Sequence, residues 1–183
     1  MSTDKQTSRL TKIGVIAVFT ALACLGTLVI KVPIPATTGY FNIGDIFVIL
    51  AGLYLGPIGG LVTGAIGPGL ADAIGFPVFI PATCITKGLE GLVVGLLAGD
   101  PMSKPGRKMF AAISGGIVMI AGYFVFEAFI YPAVGEHIPA FAITDIAAAV
   151  VELVPNTVQA VIGVAGGVSL WKGISGIQAT KAK

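Results

Sequence analysis

Charge is what this sequence has least of. Acidic and basic residues fill only 11% of the 183 positions, against about a quarter in an ordinary soluble domain. With 55% hydrophobic residues and a mean hydropathy of +0.96, that scarcity argues against a water-soluble fold. A formal net charge of +2 leaves no basic footprint for a nucleic acid. Histidine is nearly absent too: His137 alone forms no H-x-x-x-H pair and completes no Ser-His-Asp grouping. No glycine-rich lysine loop for ATP is present either. The chain therefore reads as not an enzyme, with no metal or cofactor expected. Cys24 and Cys84, the two cysteines, sit in apolar stretches without metal-ligand spacing and read as packing residues. The 26 glycines and 11 prolines would suit a disordered chain, but they are embedded in runs of Ile, Val, Leu, Ala and Phe. In membranes, small residues of this kind let helices approach closely.

A membrane helix needs about 20 apolar residues. Ile13 to Ile30 and Met109 to Phe126 are free of charge, and Ile146 to Leu170 holds only Glu152. Ala82 to Ala98 is a fourth candidate, interrupted by Lys87 and Glu90. Between Ile46 and Ala71 lie 26 uncharged residues with Gly56-Pro57 in the middle, either one long span or two helices joined by a tight turn. The basic residues decide, because cytoplasmic loops carry the excess of Lys and Arg. Six spans with the amino end inside place Lys5, Arg9, Lys12, Lys104, Arg107, Lys108, Lys172, Lys181 and Lys183 inside, nine of the eleven. Five spans would put one basic cluster outside.

The expectation is an all-α membrane protein: one integral-membrane domain over 1–183, with six transmembrane helices at about 12–31, 43–55, 58–75, 82–99, 108–131 and 145–171 and both termini cytoplasmic. The basic amino end and the apolar run after it superficially match a signal peptide. The run is long for that role, and a retained first helix is the better reading. The second helix is short and needs shielding by protein or extension through Phe41-Asn42-Ile43. Val32 to Ile43, Gly75 to Pro81 and Pro132 to Thr144 fall outside, and the first is long enough to fold over a site as a lid.

Charges inside membrane spans are costly and face the bundle interior or a water-filled cavity. Here they are Asp45, Asp72, Lys87, Glu90, Glu127 and Glu152, accompanied by Asn42, Asn156 and Gln159. At 1.5 Å per residue, Lys87 and Glu90 lie roughly 7 to 12 Å deep, Glu152 about 10 Å and Asn156 about 16 Å. Polar groups thus gather in the outer half above an apolar inner half, which describes a pocket open to the outside and closed below. Glu152, Asn156 and Gln159 follow i, i+4, i+7 spacing and share one helix face. The substrate-binding candidates are Asn42, Lys87, Glu90, Glu127, Glu152, Asn156 and Gln159. Against a ligand role stands polar packing between helices, and Lys87 and Glu90, three apart, can simply pair with each other. Asp45 reads as a helix cap and Asp72 as a turn-orienting residue. Gly14, Ala17 and Ala21 form a thin face on the first helix.

Several segments carry a family resemblance. Gly39-Tyr40-Phe41-Asn42-Ile43-Gly44-Asp45, Leu55-Gly56-Pro57-Ile58-Gly59-Gly60, Gly67-Pro68-Gly69-Leu70-Ala71-Asp72 and Ile85-Thr86-Lys87-Gly88-Leu89-Glu90-Gly91, with the Ala-x-x-x-Ala face, resemble the substrate-binding S components of energy-coupling factor (ECF) vitamin transporters. They look most like the riboflavin-transporter-like branch, which includes carriers proposed for hydroxymethylpyrimidine and pyridoxine. The resemblance covers nearly the whole chain and implies an importer subunit in the bacterial plasma membrane that binds a small vitamin at its outer face. It further implies docking through Ala17 and Ala21 onto a transmembrane coupling protein carrying two cytoplasmic ATPases, with toppling of the whole subunit delivering the ligand. A hydroxymethylpyrimidine- or pyridoxine-like compound is preferred, because a flavin would call for more aromatic surface than the outer helix halves offer. The rival reading is an autonomous proton- or ion-coupled carrier using Glu152, Glu127 and Lys87 as a relay. A purely structural subunit is the third.

Overall fold

The apolar runs form helices that bury their small residues against one another and turn their large aliphatic ones outward. The computed structural model describes residues 3–34, 39–101 and 103–181. The middle of the expected lid, 35–38, and the terminal Lys183 lie outside the described residues. The elements are α1 (Thr3–Val29), a two-residue ribbon of β1 (Val32–Pro33) and β2 (Tyr40–Phe41), α2 (Asp45–Gly75), α3 (Ile80–Ala98), α4 (Pro105–Val125), a π-helical turn (Phe126–Ile130), α5 (Tyr131–Gly135) and α6 (Ile146–Lys181). Among the described residues, five helical segments are long and apolar enough to cross a membrane. Their flanks expose Ile13, Val18, Ile74, Phe110, Ile117, Val154 and Val161, as lipid contact requires and water does not tolerate.

α2 is not one straight helix. Gly56 leaves helical geometry at φ 78° and ψ −169°, a region that strains any side chain, and Pro57 then restarts the helix with its φ already set. The two arms, 45–55 and 57–75, fold back on each other. A Cβ added to Gly60 would meet Gly52 Cα at 2.9 Å, and one added to Gly64 would meet Val48 Cγ1 at 3.0 Å. Both pairs are centred on position 56, so the arms run antiparallel. The break also strands a carbonyl, because the Leu53 oxygen would accept from residue 57, and proline has no N–H. Lys108 supplies the missing donor, its Nζ reaching Leu53 O at 2.8 Å beneath the Trp171 ring. Expected among the loop charges, Lys108 is instead fully buried.

α2, α3, α4 and α6 close into a ring, with α1 packed on both arms of α2. The closest approach is between the second arm of α2 and α3, where Gly60 and Gly91 meet backbone to backbone and neither could carry a Cβ. The main apolar core, including Phe19, Ile49, Leu53, Val94, Ala111 and Trp171, fills the half of the bundle toward Gly56. At the opposite end a smaller aromatic cluster of Phe79, Phe126 and Tyr131 roofs the bundle.

The short first arm shapes everything above it. At 1.5 Å per residue it spans about 16 Å, half of an apolar core of about 30 Å. The connecting chain, 39–44, therefore descends into the bundle as a strap. Irregular backbone at that depth must be satisfied by protein. The Asn42 N–H donates to Gln159 Oε1 at 2.9 Å, and the Gly44 N–H to Asn42 Oδ1 at 2.9 Å.

Candidate functional site

Beneath the strap lies a small, partly open cavity of about 30 Å³. The strap contributes Gly39, Tyr40 and Asn42, the second arm of α2 contributes Asp72, and α3 with the turn before it contributes Thr83 and Phe79. Tyr123 and Glu127 come from α4 and the π turn, and Glu152, Asn156 and Gln159 from α6. Two local irregularities set the wall. The π turn inserts an extra residue per turn and redirects Glu127, whose carbonyl receives the Thr144 hydroxyl at 2.8 Å. Pro155, inside α6, removes the helical donor to the Val151 carbonyl beside Glu152.

Five of the seven residues expected to bind ligand, Asn42, Glu127, Glu152, Asn156 and Gln159, line this cavity. Lys87 and Glu90 do not. They sit under its floor in a buried ion cluster, and the expected partnership is only part of it. Lys87 Nζ binds the Asp45 carboxylate and lies 3.7 Å from Glu90. Asp45 thus departs from its expected capping role: it is fully buried and also accepts Gln159 Nε2 at 3.0 Å. Since Gln159 Oε1 receives both N–H groups of Asn42, its amide is committed to joining the strap to the ion cluster.

Asp72, read from the sequence as a turn residue, has a carboxylate that accepts the Tyr40 hydroxyl. Tyr40 stacks on Phe76 with ring centroids 4.7 Å apart, and Lys31 lies 4.6 Å above its ring. Burial, then the Asp72 charge, push the Tyr40 hydroxyl well above its ordinary range, so it remains a donor. Gly39 packs so tightly on Glu152 that a Cβ there would overlap the carboxylate. Thr83 and Tyr123 share a hydrogen bond of 3.0 Å.

Sequence reasoning missed Tyr40, Asp72, Phe79, Thr83 and Tyr123 as wall residues. Asp72 carried a signal, as a charge inside an apolar run, whereas Tyr123 and Phe79 are indistinguishable from lipid-facing aromatics before the fold is known. Their presence also corrects the expectation of little aromatic surface, since Tyr40, Phe79 and Tyr123 all face the cavity. Ala17 and Ala21 lie elsewhere, exposed along an apolar groove of about 650 Å³ between α1 and the second arm of α2, where Val62, Ile66 and Leu70 form the other wall. Among the described residues no group of acidic, histidine or cysteine side chains is arranged to hold a metal ion.

Comparison with known proteins bears on this geometry. Residues 7–175 match the family model of the ECF-type riboflavin transporter, S component. A stretch of 97 residues is 40% identical to a Pyrococcus woesei protein described as an uncharacterized protein in gap 3'region, covering 53% of this chain and 65% of that protein.

Proposed function

We propose a function from one premise: the chain belongs to the family of ECF-type riboflavin transporter S components. It is a membrane transport subunit of the substrate-binding kind. In the proposed role it captures a small vitamin or vitamin precursor at the outer face and hands it to an ATP-driven module. That module comprises a transmembrane coupling protein and two cytoplasmic ATPases. Counting the two arms of α2 separately gives six spans, with both termini on the cytoplasmic side of a bacterial plasma membrane and the strap facing out.

One observation carries the reading: a polar cavity beneath a strap at one end of the bundle, above a buried ion cluster and, toward the other end, a mainly apolar core. Widened by a shift of the strap, such a cavity takes a polar ring, and among the described residues no polar path leads from it to the other end of the bundle, which favours a binding subunit over an autonomous carrier. A single-ring ligand, hydroxymethylpyrimidine or pyridoxine, asks less widening of it than a three-ring flavin, and even one ring enters only when the strap shifts. Asn42, Glu127, Glu152 and Asn156 contact the ligand. Lys87, Glu90 and Gln159 act from beneath by holding the strap and floor.

Native mass spectrometry of the protein purified gently from cells grown on rich medium is the first test. A vitamin-sized molecule at near one-to-one occupancy is expected. An empty protein that also takes up no added vitamin contradicts the assignment. Asn156→Ala and Glu152→Ala should each weaken binding about tenfold or more while leaving the thermal unfolding of the empty protein little changed. Unchanged affinity in both removes α6 from the site.

A further inference from the structure

We infer that the ligand is a basic, donor-rich nitrogen heterocycle, with an exocyclic amine beside a ring nitrogen, and that the Glu127 carboxylate receives that edge. The inference rests on the binding-subunit reading and narrows its substrate class.

The cavity wall carries three acidic side chains, Asp72, Glu127 and Glu152, and no basic one among the described residues. The two nearest cations are already committed. Lys87 is held below the floor by Asp45, and Lys31 lies over the outer faces of Tyr40 and Phe76. An anionic ligand would therefore find no free cation on the wall to pair with among the described residues.

Among the acidic residues of the cavity wall, Glu127 is the one with a buried oxygen left without a donor. It is only 4% exposed, and its Oε2 has no hydrogen-bond partner among the described residues. Leaving a buried carboxylate oxygen unpaired is unfavourable, and the protein does not remedy it with any of its own side chains. Asp72, by contrast, already receives the Tyr40 hydroxyl. The π turn that places Glu127 on the wall is itself an unfavourable local geometry, and such turns gather at functional sites. Thr144 fixes it by donating to the Glu127 carbonyl, so the carboxylate is held in position ahead of ligand arrival.

A ring N–H next to an exocyclic NH₂ presents two parallel donors, which match the two oxygens of a carboxylate. The aminopyrimidine ring of hydroxymethylpyrimidine has such an edge once its ring nitrogen, an acceptor in the neutral ring, takes up a proton. That proton passes to it from the buried Glu127 carboxyl, which becomes the carboxylate. Pyridoxine has a ring nitrogen but no adjacent amine, and nicotinate brings a negative charge.

Calorimetric titration of the full chain in detergent with hydroxymethylpyrimidine, pyridoxine, nicotinate and riboflavin tests the inference. Hydroxymethylpyrimidine should bind at least about tenfold more tightly than pyridoxine, and nicotinate should not compete. Glu127→Gln keeps the size of the side chain but loses its charge. It should cost hydroxymethylpyrimidine about tenfold or more in affinity while the empty variant melts no lower than the parent. Nicotinate binding as tightly as hydroxymethylpyrimidine, or an unchanged affinity in Glu127→Gln, overturns the inference. Tight binding of riboflavin alone overturns it too but leaves vitamin capture standing. Failure of all four compounds counts against both.

Discussion

Lys87→Met should be among the most damaging single substitutions in the bundle, lowering stability by about 3–5 kcal/mol. Lys87 is 1% exposed and is the cation that compensates Asp45 and Glu90, both fully buried. Methionine fills much the same volume, so the loss is electrostatic: two carboxylates remain in a low-dielectric interior with no positive charge beside them. Thermal unfolding in detergent reads the effect directly. Adding Asp45→Asn should recover much of it, because the double variant leaves one carboxylate fewer uncompensated while the amide that replaces it can still meet Gln159. Ligand affinity should fall in the single variant as well, since Asp45 holds Gln159 and Gln159 holds the strap through Asn42. If Lys87→Met melts like the parent, the cluster is not the keystone described.

Ala17→Trp should have the opposite profile, abolishing uptake while sparing binding. Ala17 is exposed on α1, in the groove facing Val62, Ile66 and Leu70, and lines no part of the cavity. Two helices can pack closely only where their facing residues are small. An indole at that position fills the groove and holds off any helix that would lie in it. Vitamin affinity of the purified variant and vitamin accumulation by cells that supply the coupling module separate the two effects. Accumulation at the parent rate contradicts the docking role of Ala17 and Ala21; lost affinity shows instead that the substitution deforms the bundle.

What the sequence revealed, and what it withheld, follows from the range of each interaction. The long helices announce themselves through apolar runs, and the break in α2 through Gly56-Pro57, a residue free to take positive φ followed by one without a donor. The polar face of α6 is legible because helical periodicity alone puts Glu152, Asn156 and Gln159 on one side, and all three line the cavity. Contacts between distant segments were not legible. Asp45 looks like a cap because it opens a helix, yet its carboxylate is committed to Lys87 and Gln159, 42 and 114 positions away. Lys108 looks like a loop charge because it stands beside Arg107, but the carbonyl it satisfies belongs to Leu53. The π turn at Glu127 leaves no mark in composition, since it arises from how α4 meets the loop beyond it.

The strap also sets a clock. Tyr40 on Asp72, Asn42 on Gln159 and Gly39 against Glu152 hold it down over a cavity too small to load while they persist. Opening breaks these contacts together, at a depth where departing partners are not replaced promptly by water. In the proposed role entry and exit then wait on the strap, and a molecule once enclosed leaves on the timescale of its opening rather than of diffusion. For a subunit that, in the proposed role, finds its coupling partner by drifting in the plane of the bilayer, long residence is the useful property. Cargo that outlasts the search arrives with its carrier.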